Sequence, residues 1–405
     1  MTYTDHDIAI IGGGIFGISI AKHLSERTEY DICIIEKEYQ LAAHQSGRNS
    51  GVLHPGLALE LKPGTRKAAF AIEGSKRLRD YCQKNDLPIR DTGLLLVGGT
   101  EEEVDELQNV RERVEKLDID LEFLDSQAEI HQLEPNVEGR AALYTPDSST
   151  VDGETITTHM ANEAWSEGVE FYLGHEVQGV SQKNGYTDIK TNKGSIDAGY
   201  LVNAAGSSAL RIAHRLDIAT DLSMIPLRGQ YYELAPKSRD LINTNVYPTS
   251  MPPRIPNQVE VHFTRRPDNK VIVGPTGMIA LGIDTYGKTE FDLSEIYRTL
   301  SSPNFWQFLT SPKTMRIAWW ELNKTYRKKT FFNQCKKLVP SIQMDEIKPS
   351  YVGITHSLID ENGDFIDGSV FAHGERSTHL LRPKPGLTSS LTIGEFIAEV
   401  VEDRY

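Results

Sequence analysis

The sequence contains little cysteine. Three of its 405 residues are cysteines, and Cys33, Cys82 and Cys335 lie far apart along the chain. Three scattered thiols provide neither a disulfide framework nor the paired Cys and His spacing of a zinc site. The sequence therefore predicts no metal, and it favours a reducing compartment, so we expect a cytoplasmic protein.

Long apolar runs and an excess of positive charge are missing as well. No stretch approaches the roughly 18 consecutive apolar residues of a membrane-spanning helix. The polar N-terminus leads directly into a predicted strand, so we expect no signal peptide.

Asp and Glu outnumber Lys and Arg by 57 to 43, so the formal net charge is −14. Because a negative protein repels polyanions, we expect no nucleic acid partner, and an anionic substrate would need local cations.

A glycine-rich segment near the N-terminus has the clearest pattern. Residues 8–11 are apolar and predict a buried strand, and Gly12, Gly14 and Gly17 follow with the spacing G-x-G-x-x-G. Apolar residues recur at helical spacing from Ile15, so a helix begins at the glycines. In such a turn the first glycine permits the tight bend, the second the approach of a pyrophosphate, and the third close packing of helix and strand.

An acidic residue completes this motif. A second apolar strand, residues 31–35, ends in Glu36. A carboxylate about 20 residues beyond the glycines is placed to bind ribose hydroxyls. The unpaired amides and the positive dipole at the helix N-terminus favour phosphates. The segment therefore predicts a dinucleotide site and leaves NAD and FAD both open.

The remaining pattern predicts two domains. Alternating strands and helices predict a doubly wound, Rossmann-like α/β domain that binds the cofactor. From Pro226 onward, strands separated by polar turns predict a mostly antiparallel sheet in an α+β substrate domain. We expect the cofactor-binding domain to comprise residues 1–90, 145–220 and 345–405, and the substrate domain residues 91–144 and 221–344.

The C-terminal segment predicts a strand, a proline-rich link and a final helix. We expect the strand over residues 367–381 and the helix over residues 387–401. Thr388, Ser389 and Ser390 are favourable N-cap residues for that helix. The helix either packs without a further role or stabilises an anion at its N-terminus.

Residues 313–337 reverse the charge of the chain. The segment has eight Lys or Arg against one acid, Glu321, and Trp319, Trp320 and Tyr326 lie between them. This pattern is typical of a helical pair with a solvated basic face. The alternative is a peripheral membrane contact or a partner surface.

An ordered set of motifs extends over nearly the whole chain. After IIGGGIFG come QSGRNSGVLHPGL, KPGTRKA, LVNAAG, LRGQYYEL, EVHFT, VIVGPT and GLTSSLTIG. The set resembles the FAD-dependent oxidoreductases of the D-amino-acid oxidase and glycerol-3-phosphate dehydrogenase type, and most closely those that oxidise L-2-hydroxyglutarate. The resemblance implies FAD as the cofactor.

The resemblance also implies a cofactor site assembled from distant segments. The first turn would hold the FAD pyrophosphate and Glu36 the adenosine ribose. The turn at residues 386–389 would present amides to the flavin pyrimidine carbonyl, where negative charge accumulates on reduction. The implied FAD-binding residues are Gly12, Gly14, Ile15, Phe16, Gly17, Glu36, Ser46, Asn49, Ser50, Gly51, Val177, Ala205, Gly206, Gly386, Leu387, Thr388 and Ser389.

The implied chemistry is hydride transfer from a 2-hydroxy acid to the flavin. Such a reaction needs a base for the hydroxyl proton, and histidine titrates in the useful range. His54 and His262 are the candidates because the family places their motifs near the flavin; ordinary structural histidines are the alternative. Electrons would then pass to a quinone, another carrier or oxygen.

Departures from the family pattern concern substrate binding. Relatives of the 2-hydroxyglutarate type usually carry His at the position of Arg48, Arg at that of Thr355 and a neutral segment at residues 381–384. A carboxylate is best held by a bidentate Arg, so we expect another cation to replace the one absent at position 355. The candidate substrate-binding residues are Arg48, Arg228, Thr355, Arg382 and Lys384.

We therefore expect FAD-dependent oxidation of a small 2-hydroxy acid similar to L-2-hydroxyglutarate. One alternative is an amine or amino-acid oxidase of the same fold, although no carboxylate and aromatic cage for a neutral amine is visible. The other is a non-catalytic flavin-binding partner protein, which the basic segment at residues 313–337 would suit.

Overall fold

The computed structural model of the protein describes residues 4–57, 59, 61–117, 119–249, 260–312, 314–315, 321 and 325–405. Strands and helices alternate through much of this part of the chain. The strands are β1 His6–Ile11, β2 Ile32–Glu36, β3 Val52–Leu53, β4 Ile89–Asp91, β5 Leu94–Gly98, β6 Glu122–Leu124, β7 Ala141–Thr145, β8 Ser149–Val151, β9 Glu170–Leu173, β10 Val177–Lys183, β11 Tyr186–Thr191, β12 Gly194–Asn203, β13 Ser223–Leu234, β14 Asn245–Pro248, β15 His262–Arg265, β16 Val271–Gly274, β17 Met278–Ile279, β18 Ile347–Ile359, β19 Val370–Gly374 and β20 Ser377–Arg382. The helices are α1 Ile15–Arg27, α2 Arg66–Lys84, α3 Glu101–Val114, α4 Gln127–Leu133, α5 Gly153–Ser166, α6 Ala209–His214, α7 Leu293–Ser301, α8 Pro303–Thr310, α9 Lys328–Leu338 and α10 Ser390–Arg404.

The first sheet has eight strands and a parallel centre. β1 pairs in parallel with β12 on one side and β2 on the other, and β2 continues in parallel to β9. β12 is long enough to pair with antiparallel β11 first and then with parallel β20. Ile8 and Ile10 of β1 pack into a core shared with α1, α5 and α10, whereas Ala9 and Ile11 face a second core. The predicted Rossmann-like α/β sheet is confirmed.

The second sheet has nine strands and is mostly antiparallel. β13 pairs with β18 along nearly its whole length, and β14 and β5 form a parallel pair. Phe263, Phe331 and Cys335 are fully buried in the core of this unit. The predicted mostly antiparallel sheet is confirmed. A third, three-stranded sheet, β3-β8-β4, lies beside the loop that follows β2.

Two local expectations at the C-terminus are wrong. The segment at residues 367–381 is not one strand: β19 and β20 form a hairpin in which Gly374 pairs with Ser377, so two residues make the turn. The predicted side-chain cap of the last helix is absent, because the Ser389 hydroxyl donates to the Gly386 carbonyl. The Thr388 hydroxyl instead donates to the Val52 carbonyl of β3. The Ser390 hydroxyl has no hydrogen-bond partner among the described residues.

Among the helices of the described residues, none combines the length and the hydrophobicity that crossing a bilayer requires.

Close packing of α10 against α1 depends on Gly394. A Cβ at this position would lie 2.7 Å from the Ser19 Cβ and would overlap the Ser19 hydroxyl, which donates to the Ser390 carbonyl. Gly394→Ala should therefore lower the free energy of unfolding by about 1–3 kcal/mol, measured by urea denaturation. Gly99→Ala is the control, because its Cβ would make only an ordinary 3.5 Å contact with Glu103. Equal destabilisation by both substitutions would contradict this prediction.

Candidate active site

A cleft of about 400 Å³ opens at the carboxyl ends of the central parallel strands. Its wall includes Gly12 and Gly14 after β1 and the segment from Ala204 to Ser208 after β12. It also includes Glu36 at the end of β2 and the turn that begins at Gly386. The crevice beyond the carboxyl ends of parallel strands is where open α/β sheets bind ligands, so this cleft is the candidate site.

The glycine turn brings bare backbone to the cleft. Gly12 has a φ of +115°, in the region that favours glycine, and a Cβ there would collide with the Ala204 carbonyl. A Cβ on Gly17 would overlap the Gly12 carbonyl, so only glycine permits this packing of α1 against the turn. The Ser46 hydroxyl accepts a hydrogen bond of 2.9 Å from the Ile15 amide and so joins the next loop to the helix N-terminus.

Glu36 is held in a single orientation at the end of β2. One carboxylate oxygen accepts a hydrogen bond of 2.6 Å from the Gly13 amide, and the other accepts one of 2.8 Å from the Glu38 amide. These bonds connect the acidic residue directly to the glycine turn. The carboxylate is therefore placed in the cleft wall before any ligand binds.

Hydrogen bonds within the loop after β2, and others from the second sheet, fix the path of this loop. Asn49 donates to the Ser46 carbonyl at 2.7 Å and accepts from the Gly51 amide at 2.7 Å. From the second sheet, the Tyr351 hydroxyl donates to the Asn49 carbonyl at 2.7 Å, and Arg266 donates to the same carbonyl at 3.3 Å. The loop therefore has one defined path along the cleft.

His54 lies where this loop meets the C-terminal turn. Its amide donates to the Thr388 hydroxyl at 3.1 Å, a bond between residues 334 positions apart. His54 lines the cleft, and its Nδ1 is buried with no hydrogen-bond partner among the described residues. Burial lowers the pKa of His54 to about 4, so the imidazole is neutral at neutral pH and is able to accept a proton.

His262 lies one ring behind the cleft wall. Its side chain is 3% exposed, and its Nδ1 is 2.8 Å from the Glu260 carbonyl. The imidazole stacks on the Tyr247 ring with centroids 4.0 Å apart, and Tyr247 in turn lies edge-on to His54 at 6.0 Å. The structure brings the two candidate histidines together through Tyr247 and places His54, not His262, in the wall.

The four candidate cations lie in two groups. Arg48 donates to the Ala43 carbonyl and lies 4.4 Å from the centroid of the Tyr286 ring. Arg228 is 3% exposed, donates to the Tyr286 carbonyl at 2.8 Å and is not part of the cleft wall. Arg382 and Lys384 line the cleft before the C-terminal turn, and Thr355 lies in the wall as well.

Tyr286 is a cleft residue that no sequence motif indicates. It follows β17 in an irregular segment, where no periodicity marks it. Its hydroxyl lies 2.5 Å from the Nδ1 of His44, whose Nε2 donates to Glu38 at 2.8 Å.

Tyr231 also lines the cleft and stacks on Tyr351 with centroids 4.8 Å apart. Tyr231 lies in the LRGQYYEL motif, and this motif is the feature of the sequence from which its place in the site could have been predicted.

Most of the residues that the resemblance implied for FAD lie in the wall of this one cleft. Gly17, Gly51 and Ser389 do not line it; Gly17 and Gly51 instead permit close backbone packing behind the wall, and Ser389 is buried. The residues in the wall are Gly12, Gly14, Ile15, Phe16, Glu36, Ser46, Asn49, Ser50, Val177, Ala205, Gly206, Gly386, Leu387 and Thr388.

The family follows from comparison with known proteins. The sequence profile of the FAD dependent oxidoreductase family (DAO) matches residues 7–400. This chain belongs to that family. Its cofactor is therefore FAD, and the choice that the glycine motif left open between NAD and FAD is decided.

Relatives of known name are similar along the entire chain. An L-2-hydroxyglutarate dehydrogenase of Indibacter alkaliphilus is 31% identical over 404 residues, which cover 99% of this chain and 100% of the relative. The L-2-hydroxyglutarate dehydrogenase of Escherichia coli is 30% identical over 400 residues, covering 98% of this chain and 93% of the relative. The predicted resemblance is confirmed.

Solved structures share the fold. An FAD-bound L-alpha-glycerophosphate oxidase from Mycoplasma pneumoniae has a TM-score of 0.77 at 22% identity, with 98% of this chain and 94% of that chain covered. A glycine oxidase from Geobacillus kaustophilus has a TM-score of 0.73 at 19% identity, covering 100% and 96% of the two chains. These similarities confirm the predicted fold class.

The cleft of this family member fits FAD. Gly12 and Gly14 bring backbone without a Cβ to the cleft wall, which suits a pyrophosphate. The fixed Glu36 carboxylate suits ribose hydroxyls, and His54 lies in the cleft wall, bonded to the C-terminal turn.

Glu36→Ala should weaken FAD retention. The substitution removes the ribose acceptor and frees the Gly13 amide, so we expect the FAD dissociation constant to rise about 10-fold or more. Flavin fluorescence after ultrafiltration measures the released cofactor. Glu29→Ala removes the same charge from an exposed position and should leave retention unchanged. Equal retention in both variants would exclude this role for Glu36.

Proposed function

We propose that this enzyme oxidises a small 2-hydroxy acid of the L-2-hydroxyglutarate class to the corresponding 2-oxo acid. The names of relatives that match it from end to end support this substrate class. The structural observation that carries the proposal is the position of His54, a neutral imidazole in the cleft wall bonded to the turn at Thr388.

Oxidation of a secondary alcohol removes a hydride from carbon and a proton from oxygen. FAD, when bound, supplies the hydride acceptor. The His54 imidazole takes the hydroxyl proton through Nε2, because Nδ1 is the ring nitrogen enclosed by protein. Tyr247 packs edge-on against this imidazole and His262 stacks behind Tyr247, so His262 positions the base instead of reaching the substrate.

The C-terminal turn is the proposed electrostatic element of the site. Residues 386–389 form one 3-10 turn that leads into α10, a helix of 15 residues. The amides of the turn and the positive end of the helix dipole stabilise negative charge at this end of the cleft. The hydrogen bond from His54 to Thr388 keeps the base beside this element.

His54→Ala should slow reduction of the flavin by a 2-hydroxy acid. Loss of a general base lowers the rate by about 10²–10⁴-fold. Anaerobic bleaching of the bound flavin, with a panel of hydroxy acids and amino acids, measures the rate. His262→Ala should have a smaller effect because that residue acts through Tyr247. Normal bleaching of His54→Ala would remove the base assignment, and bleaching by amino acids alone would favour an amino-acid oxidase.

We also propose that the two large sheets correspond to two functional units. The FAD-binding domain comprises residues 1–90, 145–220 and 345–405, except for β18 in the last of these segments. β18, Ile347–Ile359, pairs with β13 in the second sheet and is assigned to the substrate domain. The substrate domain otherwise comprises residues 91–144 and 221–344.

For the electron acceptor, we propose a quinone reached at the inner face of the membrane by a cytoplasmic protein. The three cysteines are free and buried, which suits a reducing compartment. An exposed apolar stripe lies on α7: Leu293, Tyr297 and Leu300 are spaced as one helix face, and the first two are 72% and 75% exposed. Glu295, on the opposite face, is buried near Arg211.

A lipid surface is the proposed occupant of the stripe because cations accompany it. Arg298 on α7 is half exposed, and Lys288 lies near the exposed Tyr326 ring. Exposed Leu and Tyr beside Lys and Arg are typical of helices that lie in the membrane interface. The basic segment at residues 313–337 continues this charge; Lys313, Trp319 and Trp320 lie outside the described residues, whereas Lys328, Lys329, Lys336 and Lys337 are exposed.

The double substitution Leu293→Ser and Leu300→Ser should reduce binding to vesicles that contain phosphatidylglycerol. It removes apolar area from the stripe without changing charge, so sedimentation with vesicles should fall several-fold while flavin content stays constant. Trp165→Ser removes an exposed aromatic residue elsewhere and serves as the control. Equal sedimentation of the wild-type protein and the double variant would contradict a lipid contact at α7.

A further inference from the structure

Three of the four candidate cations already have partners. Arg48 is bonded to the Ala43 carbonyl and packs over the Tyr286 ring. Arg228 is bonded to the Tyr286 carbonyl and lies outside the cleft wall. Arg382 is 2% exposed and donates to the Gly368 carbonyl at 2.6 Å. Each of these guanidinium groups therefore supports the protein structure in the state described.

Lys384 differs from all three. It lines the cleft as Arg48 and Arg382 do, but within the described residues no hydrogen bond or ion pair involves its ammonium group. Its backbone is fixed, since the Ser369 hydroxyl accepts from the Lys384 amide at 3.0 Å and donates to its carbonyl at 2.8 Å. A side chain with a fixed base and an unpartnered charged end in a cleft is available to a ligand.

The charge around Lys384 is positive although the whole chain is acidic. The negative charge of Asp367 acts on Lys384, but that carboxylate already pairs with Lys67 at 2.9 Å. Arg382 adds a further positive charge. In a chain of net charge −14, this end of the cleft offers the local cation that an anionic substrate requires.

Lys384 and Thr355 belong to the same region of the cleft. His356, next to Thr355, donates from Nε2 to the Leu381 carbonyl at 2.8 Å and so ties β18 to the end of β20. Thr355 and Lys384 both line the cleft, and Lys384 follows Leu381 by three residues. The segment that follows β20 thus brings a cation to the cleft, where position 355 of β18 has a threonine.

We propose that Lys384 binds a carboxylate of the substrate and is the residue that selects acids over neutral alcohols in this enzyme. The role rests on the proposed function, and it concerns the same cleft. The Lys384 ammonium binds the carboxylate as a compact point charge, whereas an arginine would bind it with two planar N–H donors. Substrate choice in this chain consequently depends on the link between β20 and the C-terminal turn.

The charge of Lys384 also makes acid binding sensitive to pH. Burial, together with Arg382 and Lys67, lowers the pKa of Lys384 from its ordinary value to about 8. The ammonium is therefore present below pH 8 and is lost as the pH rises through that value. Carboxylate affinity should fall about tenfold per pH unit above pH 8, since one proton must be bound for each anion held.

Glutarate tests this role without turnover, because it has carboxylates but no oxidisable hydroxyl. The holoenzyme is titrated with glutarate, and binding is followed by the change in flavin absorbance. Lys384→Met should raise the glutarate Kd by about 10- to 100-fold at pH 7. Lys384→Arg should restore binding and remove the pH dependence around pH 8. Lys62→Met, a loss of the same charge at an exposed position outside the cleft wall, should leave the Kd unchanged.

Three outcomes would overturn the role of Lys384. One is an unchanged glutarate Kd in Lys384→Met, and another is a wild-type protein that does not bind glutarate. The third is a glutarate Kd that rises equally in Lys384→Met and Lys62→Met, which would mean that general charge and not this position holds the anion. Lys384-dependent glutarate binding by an enzyme that no hydroxy acid bleaches would instead refute the proposed function and support the carboxylate site.

Discussion

The hydrogen bond from the His54 amide to the Thr388 hydroxyl joins two segments that are 334 residues apart, and the candidate site depends on this junction. One segment is the loop that follows β2, and the other is the turn before the last helix. Each has only a short regular element at this point, the two-residue strand β3 in one and a 3-10 turn in the other. Thr388 contributes through both sides of its hydroxyl, since it also donates to the Val52 carbonyl at 3.4 Å. The proposed base and the proposed anion-stabilising turn are therefore placed together.

The parallel sheet makes this junction possible. β1, β12 and β20 run side by side and end at the same edge, so the chain leaves each of them at the same cleft. The second sheet then holds the loop from outside, through Arg266 and Tyr351 on the Asn49 carbonyl. The proposed FAD-binding residues come from the first sheet and its loops, while β13 and β18 also contribute residues to the wall. Residues from both sheets therefore line the cleft.

The cofactor half of the site was largely predictable because its requirements are local. A tight turn, close packing of a helix and a carboxylate at a strand end each impose a residue type at a given spacing, as at Gly12, Gly17 and Glu36. No comparable spacing rule predicts which residues line the rest of the cleft. Tyr286 lies in an irregular segment, and its place beside His44 arises only when two distant loops meet. The failed N-cap at Ser389 has a similar cause, because the hydroxyl that a local rule assigns to the helix bonds the preceding turn.

By itself, the sequence determined the dinucleotide-binding strand, turn and helix, the two kinds of sheet and the set of histidines and cations from which a site is built. Periodicity and glycine spacing carry that information, since they reflect contacts between residues close in the chain. Only the tertiary structure decided which members of the set meet. It placed His54 in the wall with His262 behind Tyr247, and it engaged Arg48, Arg228 and Arg382 in structural bonds while leaving Lys384 to the cleft. The physical reason is that burial and partner choice depend on residues hundreds of positions away, and no local pattern records them.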